Sequence, residues 1–211
     1  MSMTFTTTHP AGRRVANPGT TPPWTAVDIE TTGLDPAAPD ARVTEVAFYG
    51  AAWTGVIAGD ERTVLARTAA RLATVSGVVV TWNGAGFDFP YLLHRAATHG
   101  IDLGVTVTGE RPGKYRDGIM VAGRRWAHCD AWQAWGPMMS GLWLKSGLKP
   151  VARLFGGEPV ELDRERMDTY SADERAAYAL SDVRHTLALA MLAGPTTVAL
   201  WTDRGWHPSV A

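Results

Sequence analysis

The chain has 211 residues, of which 45% are hydrophobic and 19% are charged, a size that suits one domain with a core needing no covalent staple. Its 20 basic and 21 acidic residues leave a net charge of −1, which excludes a polybasic nucleic-acid coat but not a local basic groove. Cys129 is the one cysteine, so an intrachain disulfide and a thiolate metal cluster are both excluded.

The first 23 residues predict a flexible arm, because they are rich in Thr, Pro and Gly and show no period. They lack the apolar core of a signal peptide, and no apolar run in the chain approaches the roughly 18 residues that span a bilayer. We therefore expect a cytoplasmic protein that does not enter a membrane. Residues 24–195 are expected to form its folded domain, and residues 196–211 a C-terminal tail.

The rest of the chain predicts an α/β domain with a mixed sheet, because strands come first and then alternate with helices. Strands are expected at Trp24–Glu30, Arg42–Trp53, Gly77–Trp82 and Arg125–Asp130, and a further strand is expected to start at Gly55–Ile57. Helices are expected at Arg62–Thr74, Pro90–His99 and Leu148–Phe155, and from the capping box at Ser171 to Leu192. Residues 101–125 are rich in glycine and have no clear period, which indicates an insertion or a β-hairpin.

Two acids stand at the end of the first predicted strand. Asp28 and Glu30 are two residues apart, so their side chains point to the same face of the strand, opposite Val27 and Ile29. They are either solvated acids at an exposed strand end or carboxylates that repel each other in a partly dry site. The turn Thr31-Thr32-Gly33-Leu34 follows at once and favours the second interpretation, since its backbone can approach a ligand.

Three further candidates lie at the start of one predicted helix and within another. Asp88 follows a segment with two glycines and precedes a helix, where an aspartate is also a favoured N-cap. Tyr178 and Asp182 are four residues apart on the last predicted helix and share a face. A core tyrosine with an aspartate as its hydrogen-bond partner is the structural alternative for this pair.

Together, in chain order, these segments resemble the three motifs of the DEDD superfamily, also called DnaQ-like 3'–5' exonucleases. The segment Asp28–Asp35 is similar to the first motif almost residue for residue. Asn83–Leu92 resembles the second motif in the form that occurs in the proofreading domains of family B DNA polymerases. The resemblance covers about residues 24–193, although residues 101–125 match nothing in it.

The third motif matches in its tyrosine form, DEDDy, through Tyr178 and Asp182. The histidine form would need a histidine at position 177, which is an alanine, and His185 lies on the wrong side of Asp182. The segment Leu148–Ala152 is also similar to the helix that precedes this motif in polymerase-type domains.

The resemblance implies a ribonuclease H-like fold, with a five-stranded mixed sheet flanked by helices. It also implies two divalent ions, Mg²⁺ or Mn²⁺, which suit a site that offers only oxygen ligands. Asp28 would bridge both ions, Glu30 and Asp182 would complete one of them, and Asp88 would act through the outer shell of the other. Tyr178, a phenol with an ordinary pKa near 10, would orient the attacking water rather than act as a base.

The implied substrate is a nucleic-acid 3' end. The residues expected to bind it are Thr31, Thr32, Gly33, Leu34, Asn83 and Phe87. Backbone amides of the turn would hold the terminal nucleotide, Leu34 would wedge between the last two bases, and Trp82 is either a core residue or a base-stacking one.

The surroundings of the expected site are less specific. Trp132 and Trp135 follow the last predicted strand and are expected near the site, and Asp130 is interpreted as structural. The basic residues of the 101–125 region form either a solvated loop or a flap that follows phosphates. These residues are Lys114, Arg116, Arg124 and Arg125.

The leading prediction is therefore an exonuclease that releases nucleoside monophosphates from 3' ends of single-stranded DNA, with a DNA polymerase as a candidate partner. An exoribonuclease of the same superfamily is the closest alternative, because the shared motifs do not read the 2'-hydroxyl. A non-catalytic, polymerase-associated binding module is a third. Retention of all four acids and the tyrosine argues against the third.

Overall fold

The structure, a computed structural model, describes residues 23–110 and 118–193. The strands in these residues are β1 (Trp24–Thr31), β2 (Val43–Gly50), β3 (Thr54–Ala58), β4 (Gly77–Thr81), β5 (Val105–Glu110), β6 (Ile119–Gly123) and β7 (Trp126–Asp130). The α-helices are α1 (Glu61–Thr74), α2 (Asp88–Thr98), α3 (Trp132–Gly141), α4 (Leu148–Leu154) and α5 (Ala172–Ala193), and a 3-10 helix covers Arg164–Thr169. The predicted N-terminal arm and C-terminal tail lie almost wholly outside the described residues.

One mixed sheet has the strand order β3-β2-β1-β4-β7-β6-β5. Strands β1, β4 and β7 are parallel, with Ala26 opposite Val80 and Val80 opposite Cys129, and the remaining neighbours pair antiparallel. Because parallel strands end at the same edge of a sheet, the residues that follow β1, β4 and β7 are brought together. These are the segments that carry the first two predicted motifs and Asp130.

The sheet of the described residues has seven strands, so the prediction of five was wrong. Residues 101–125 contain the hairpin strands β5 and β6, and the pairing of Ala122 with Ala127 joins this hairpin to β7. The β-hairpin interpretation of this region is thereby confirmed. Strand β5 is largely exposed, so its residues do not alternate between buried and exposed as they do in the half-buried strands that sequence patterns predict best.

Helices cover both faces of the sheet. The run of valines in β4 reflects this, because Val79 belongs to the core cluster with Phe48 and Leu65, whereas Val78 and Val80 belong to the one on the opposite face. Helices α1 and α2 supply the first cluster, and α3, α4 and α5 pack on the other face. Helix α5 lies across β1 and β2, which places its residues next to the end of β1.

Helix ends follow the predicted capping chemistry in α5. Ser171 Oγ accepts a hydrogen bond from Glu174 N at 3.2 Å, and Glu174 Oε2 accepts one from Ser171 N at 2.8 Å, which confirms the capping box. Helix α3 was not predicted, because Gly136 and Pro137 in its middle are poor helix formers. None of the helices in the described part of the chain is long and apolar enough to cross a membrane.

Candidate active site

A cavity of about 980 Å³ opens at the edge where β1 and β4 end, between these strands, α4, α5 and the 3-10 helix. Every residue predicted for the site lines it. These residues are Asp28, Glu30, Thr31, Thr32, Gly33, Leu34, Asn83, Phe87, Asp88, Tyr178 and Asp182. The tertiary fold therefore gathers three segments that are far apart in the sequence around one space.

Three carboxylates form a tight group in this cavity. Oxygen atoms of Asp28, Glu30 and Asp182 lie within 4.8 Å of one another. Strand β1 supplies the first two on one face, and α5 supplies the third from the helix that crosses the strand. Asp88 lines the same cavity and is 3% exposed, but it is not one of this group. The outer position predicted for Asp88 remains a prediction.

Burial and crowding make these carboxylates hold their protons more tightly than usual. Burial raises the pKa of Glu30 to about 7, and the charge of Asp182 adds to the effect. Burial likewise raises the pKa of Asp182 to about 6, against the opposing influence of Lys149. Burial and the charge of Asp130 raise the pKa of Asp88 to about 8. The pKa of Asp28 is also raised, first by burial and then by its acidic neighbours.

Two positively charged side chains that the sequence motifs did not identify complete the site. Lys149 of α4 is 11% exposed, with its Nζ 3.5 Å from Asp182 Oδ1 and 3.6 Å from the centroid of the Tyr178 ring. Arg164 begins the 3-10 helix, and its Nε donates a hydrogen bond to the Tyr178 hydroxyl at 2.9 Å. Both lower the pKa of Asp182 and so offset part of the negative charge. Only the Leu148–Ala152 similarity pointed toward Lys149, and no pattern marks Arg164.

Tyr178 of α5 is fully buried, yet it lines the cavity. Its hydroxyl accepts a hydrogen bond from Arg164 rather than contacting a core group. Burial, followed by the charges of Glu30 and Asp182, raises the pKa of Tyr178 above its ordinary value. The phenol therefore keeps its proton at neutral pH, and its O–H is a hydrogen-bond donor. The plain core alternative does not account for its contact with a cavity-lining arginine.

The turn after β1 presents one exposed apolar side chain and two open amides. Thr32 is engaged in the fold, since its amide donates to Arg42 O at 3.0 Å and its hydroxyl donates to Asp40 O at 2.8 Å. By contrast, the amides of Gly33 and Leu34 donate to no group in the described residues. Leu34 is 83% exposed at the cavity. The donors open to a ligand are thus those of Gly33 and Leu34.

The second motif forms a tight loop that Asp130 holds in place. Asp130 Oδ1 accepts a hydrogen bond from Asn83 N at 2.8 Å, and its Oδ2 accepts one from Ala85 N at 3.3 Å. Asn83 has a positive φ of 64°, which asparagine tolerates better than most residues. Asp130 is therefore structural, as predicted. Helix α2 begins at Asp88 with Phe87 as its N-cap, so the interpretation of Asp88 as an N-cap was wrong.

The remaining predicted neighbours separate into two groups. Trp132 lines the cavity, whereas Trp82 and Trp135 are buried in the core, although Trp82 also borders the cavity. The hairpin residues Arg124 and Arg125 are exposed at the turn between β6 and β7, beside the start of β4, at the sheet edge opposite the site. The flap interpretation therefore fails for these two arginines, and Lys114 and Arg116 lie outside the described residues.

The carboxylate group fits a divalent cation. Its donors are all oxygens, which favour hard ions such as Mg²⁺ and Mn²⁺. Buried polar atoms normally have hydrogen-bond partners, yet Asp88 Oδ1 is buried and accepts no hydrogen bond in the described part of the chain. Asp182 Oδ1 is also buried without a hydrogen bond there, and has only the Lys149 ammonium at 3.5 Å. A bound cation would pair with these oxygens and reduce the repulsion between the carboxylates whose pKa values are raised.

Comparisons with known proteins point to one kind of domain. A family model described as a predicted 3'-5' exonuclease related to the exonuclease domain of PolB matches residues 40–135. The catalytic subunit of DNA polymerase epsilon from Schizosaccharomyces pombe is 37% identical over 127 residues, which cover 54% of this chain and 5% of that protein. The corresponding polymerase epsilon protein from Candida glabrata is 30% identical over 141 residues, covering 63% of this chain and 6% of that protein.

The fold recurs in a solved polymerase. The family B DNA polymerase from the hyperthermophilic archaeon Pyrobaculum calidifontis matches with a TM-score of 0.61 at 23% identity, over 87% of this chain and 26% of that one. The chain is thus similar to the exonuclease domain of family B polymerases, as its motifs predicted, and spans only a small fraction of the curated relatives. The matched residues 40–135 include Asp88 but neither Asp28 and Glu30 nor Asp182.

Proposed function

We propose that this protein is a metal-dependent 3'–5' exonuclease of the tyrosine-type DEDD superfamily that acts on single-stranded DNA ends. The observation that carries the proposal is the group of Asp28, Glu30 and Asp182 within 4.8 Å, with Tyr178 one helical turn before Asp182 in the same cavity. The similarity to a PolB-related exonuclease family supports the same activity. The polymerase relatives support DNA as the substrate and a polymerase as a partner.

Asp28, Glu30 and Asp182 would hold divalent ions, Mg²⁺ or Mn²⁺, with Asp88 contributing at the periphery. Such ions would supply acidity to the attacking water and charge compensation at the leaving 3' oxygen. The raised pKa values of Glu30 and Asp182 make proton release part of ion binding, because a ligating carboxylate must be ionised.

The chain's own residues orient the reaction. The water oxygen attacks the phosphorus of the last phosphodiester and gives up a proton to solvent. The bond to the 3' oxygen of the preceding nucleotide breaks, this oxygen takes up a proton from solvent to become a hydroxyl, and a nucleoside 5'-monophosphate leaves. Tyr178 donates its O–H to the attacking water, since its raised pKa excludes it as a base at neutral pH. The Lys149 ammonium beside Asp182 limits the repulsion between the carboxylates.

The terminal nucleotide is proposed to lie against the turn after β1. The open amides of Gly33 and Leu34 bind its polar groups, and the exposed Leu34 side chain packs between the last two bases. Thr31 and Thr32 hold the turn, Thr31 by donating its hydroxyl to Gly33 O at 2.7 Å. Asn83 and Phe87 line the path of the strand across the second loop.

The test is digestion of single-stranded DNA and RNA, labelled at either end, with Mg²⁺, Mn²⁺ or EDTA. We expect 5'-labelled DNA to shorten stepwise from its 3' end, 3'-labelled DNA to release labelled mononucleotides, and EDTA to stop both. Asp28→Asn should remove most of the activity without unfolding the protein. Faster digestion of RNA would favour the exoribonuclease, and binding without cleavage would favour the non-catalytic module. Equal cleavage of circular and linear strands would contradict exonuclease action.

A further inference from the structure

Arg164 occupies a position in the site that the family motifs do not assign. It is the first residue of the 3-10 helix Arg164–Thr169, which follows Asp163. Asp163 anchors this helix, because its Oδ1 accepts a hydrogen bond from Glu165 N at 3.0 Å and its amide donates to the Tyr170 hydroxyl at 3.2 Å. The backbone of this helix is thus held while the Arg164 side chain lines the cavity.

The Arg164 side chain forms its hydrogen bond with Tyr178 rather than with the carboxylates. Its Nε donates to the phenol oxygen at 2.9 Å. No carboxylate of residues 23–110 or 118–193 forms an ion pair with it, although Glu30 and Asp182 are near enough to interact with its charge. The directed hydrogen bond of this guanidinium is therefore made to the phenol, while its effect on the carboxylates is through charge alone.

This contact determines what the Tyr178 hydroxyl can do. A guanidinium has only donors, so the phenol oxygen must accept from Arg164 and its own proton must point elsewhere. Glu30 and Asp182 line the same cavity and their charges act on the phenol, which makes their carboxylates competing acceptors for that proton. A hydroxyl bonded to a carboxylate cannot donate to a water.

We propose that Arg164 is a positioning residue that holds the Tyr178 hydroxyl as an acceptor on one side, so that its O–H is presented to the attacking water. This inference rests on the proposed function. It assigns a different task to Lys149, whose Nζ lies over the ring face, 3.6 Å from the centroid, rather than at the hydroxyl. Both cations act through charge on Asp182, but only Arg164 makes a directed hydrogen bond to the hydroxyl.

The experiment is a double-mutant cycle on the exonuclease with Arg164→Met and Tyr178→Phe. Each single variant should lower the single-turnover rate at saturating Mg²⁺ by roughly 5- to 150-fold, the effect of leaving one buried hydrogen-bonding group without its partner. Adding Arg164→Met to Tyr178→Phe should cost less than about 2-fold more, because both act through one contact. The KM for the oligonucleotide should be unchanged in Arg164→Met.

Matched controls separate this role from plain charge or structure. Arg164→Lys keeps the charge without the guanidinium Nε and should remain slow. Arg166→Met changes an exposed arginine of the same 3-10 helix that does not line the cavity, and should be as fast as the wild type. In EDTA, the losses in free energy of unfolding from Arg164→Met and Tyr178→Phe should also be non-additive, a readout that does not depend on activity.

Three outcomes would overturn the inference: a wild-type rate in Arg164→Met, an equal further loss on the Tyr178→Phe background, or a loss confined to oligonucleotide affinity. The last would make Arg164 a phosphate-binding residue. If the wild-type protein has no metal-dependent nuclease activity, the proposed function fails on its own. The unfolding cycle then still decides whether Arg164 and Tyr178 are coupled.

Discussion

Replacing Glu30 by Gln should stabilise the metal-free protein at alkaline pH. Glu30 belongs to the group of three carboxylates, and burial with the charge of Asp182 raises its pKa from 4.5 to about 7. Ionising Glu30 therefore costs the folded protein about 3 kcal/mol more than it costs the unfolded chain. Gln has nearly the same shape but no charge to bury. Removing the Glu30 charge also removes its attraction to Lys149 and Arg164, which offsets part of the benefit. We therefore expect a net gain of about 1–3 kcal/mol in the free energy of unfolding.

The pH dependence of this gain has a definite sign. The folded protein binds the Glu30 proton more tightly than the unfolded chain, so the contribution of Glu30 to stability is full below about pH 4.5 and is lost as the pH rises through about 7. Glu30→Gln should therefore match the wild type at about pH 4.5 and exceed it at about pH 8.5. For a chain of this size, the gain at high pH amounts to roughly 2–12 °C in Tm.

Thermal and urea unfolding in EDTA at both pH values measure this effect. Glu158→Gln is the matched control, because Glu158 is an exposed glutamate outside the cavity. Adding Mn²⁺ at high pH should reverse the order, since the ion stabilises the folded state of the protein that binds it more tightly. The reasoning is refuted if Glu30→Gln gains nothing at high pH, or gains as much at low pH as at high pH.

Three other predictions concern the reaction and the loops around it. Tyr178→Phe should lower kcat by roughly 5- to 150-fold and leave metal affinity unchanged, measured in single turnovers and by calorimetry. A wild-type rate would show that Tyr178 is a core residue with no role in the reaction. Leu34→Ala should weaken binding of single strands with a free 3' end at unchanged metal affinity, measured by fluorescence anisotropy in Ca²⁺. If the variant binds these strands as tightly as the wild type, Leu34 does not pack between the last two bases. Gly84→Ala should cost roughly 1–3 kcal/mol of stability in urea, because its Cβ would overlap Thr81 Oγ1, whereas Gly33→Ala meets nothing within 4 Å and should leave stability unchanged.

The sequence by itself was sufficient for the local features. The i, i+2 spacing of Asp28 and Glu30 on a strand and the i, i+4 spacing of Tyr178 and Asp182 on a helix each place two side chains on one face. The capping box at Ser171 and the buried strand Gly77–Thr81 are likewise local patterns. Such features depend on backbone geometry within a few residues, which is why chain order and motif spacing predicted them.

Only the tertiary structure decided which groups meet. The 4.8 Å grouping of Asp182 with Asp28 and Glu30 depends on how α5 crosses β1, and the approach of Lys149 and Arg164 to Tyr178 depends on the packing of α4 and the 3-10 helix beside α5. No local pattern encodes contacts between segments so distant in the chain. The pairing of β6 with β7 is of the same kind, since it adds two strands through contacts at a sheet edge rather than through a hydrophobic period.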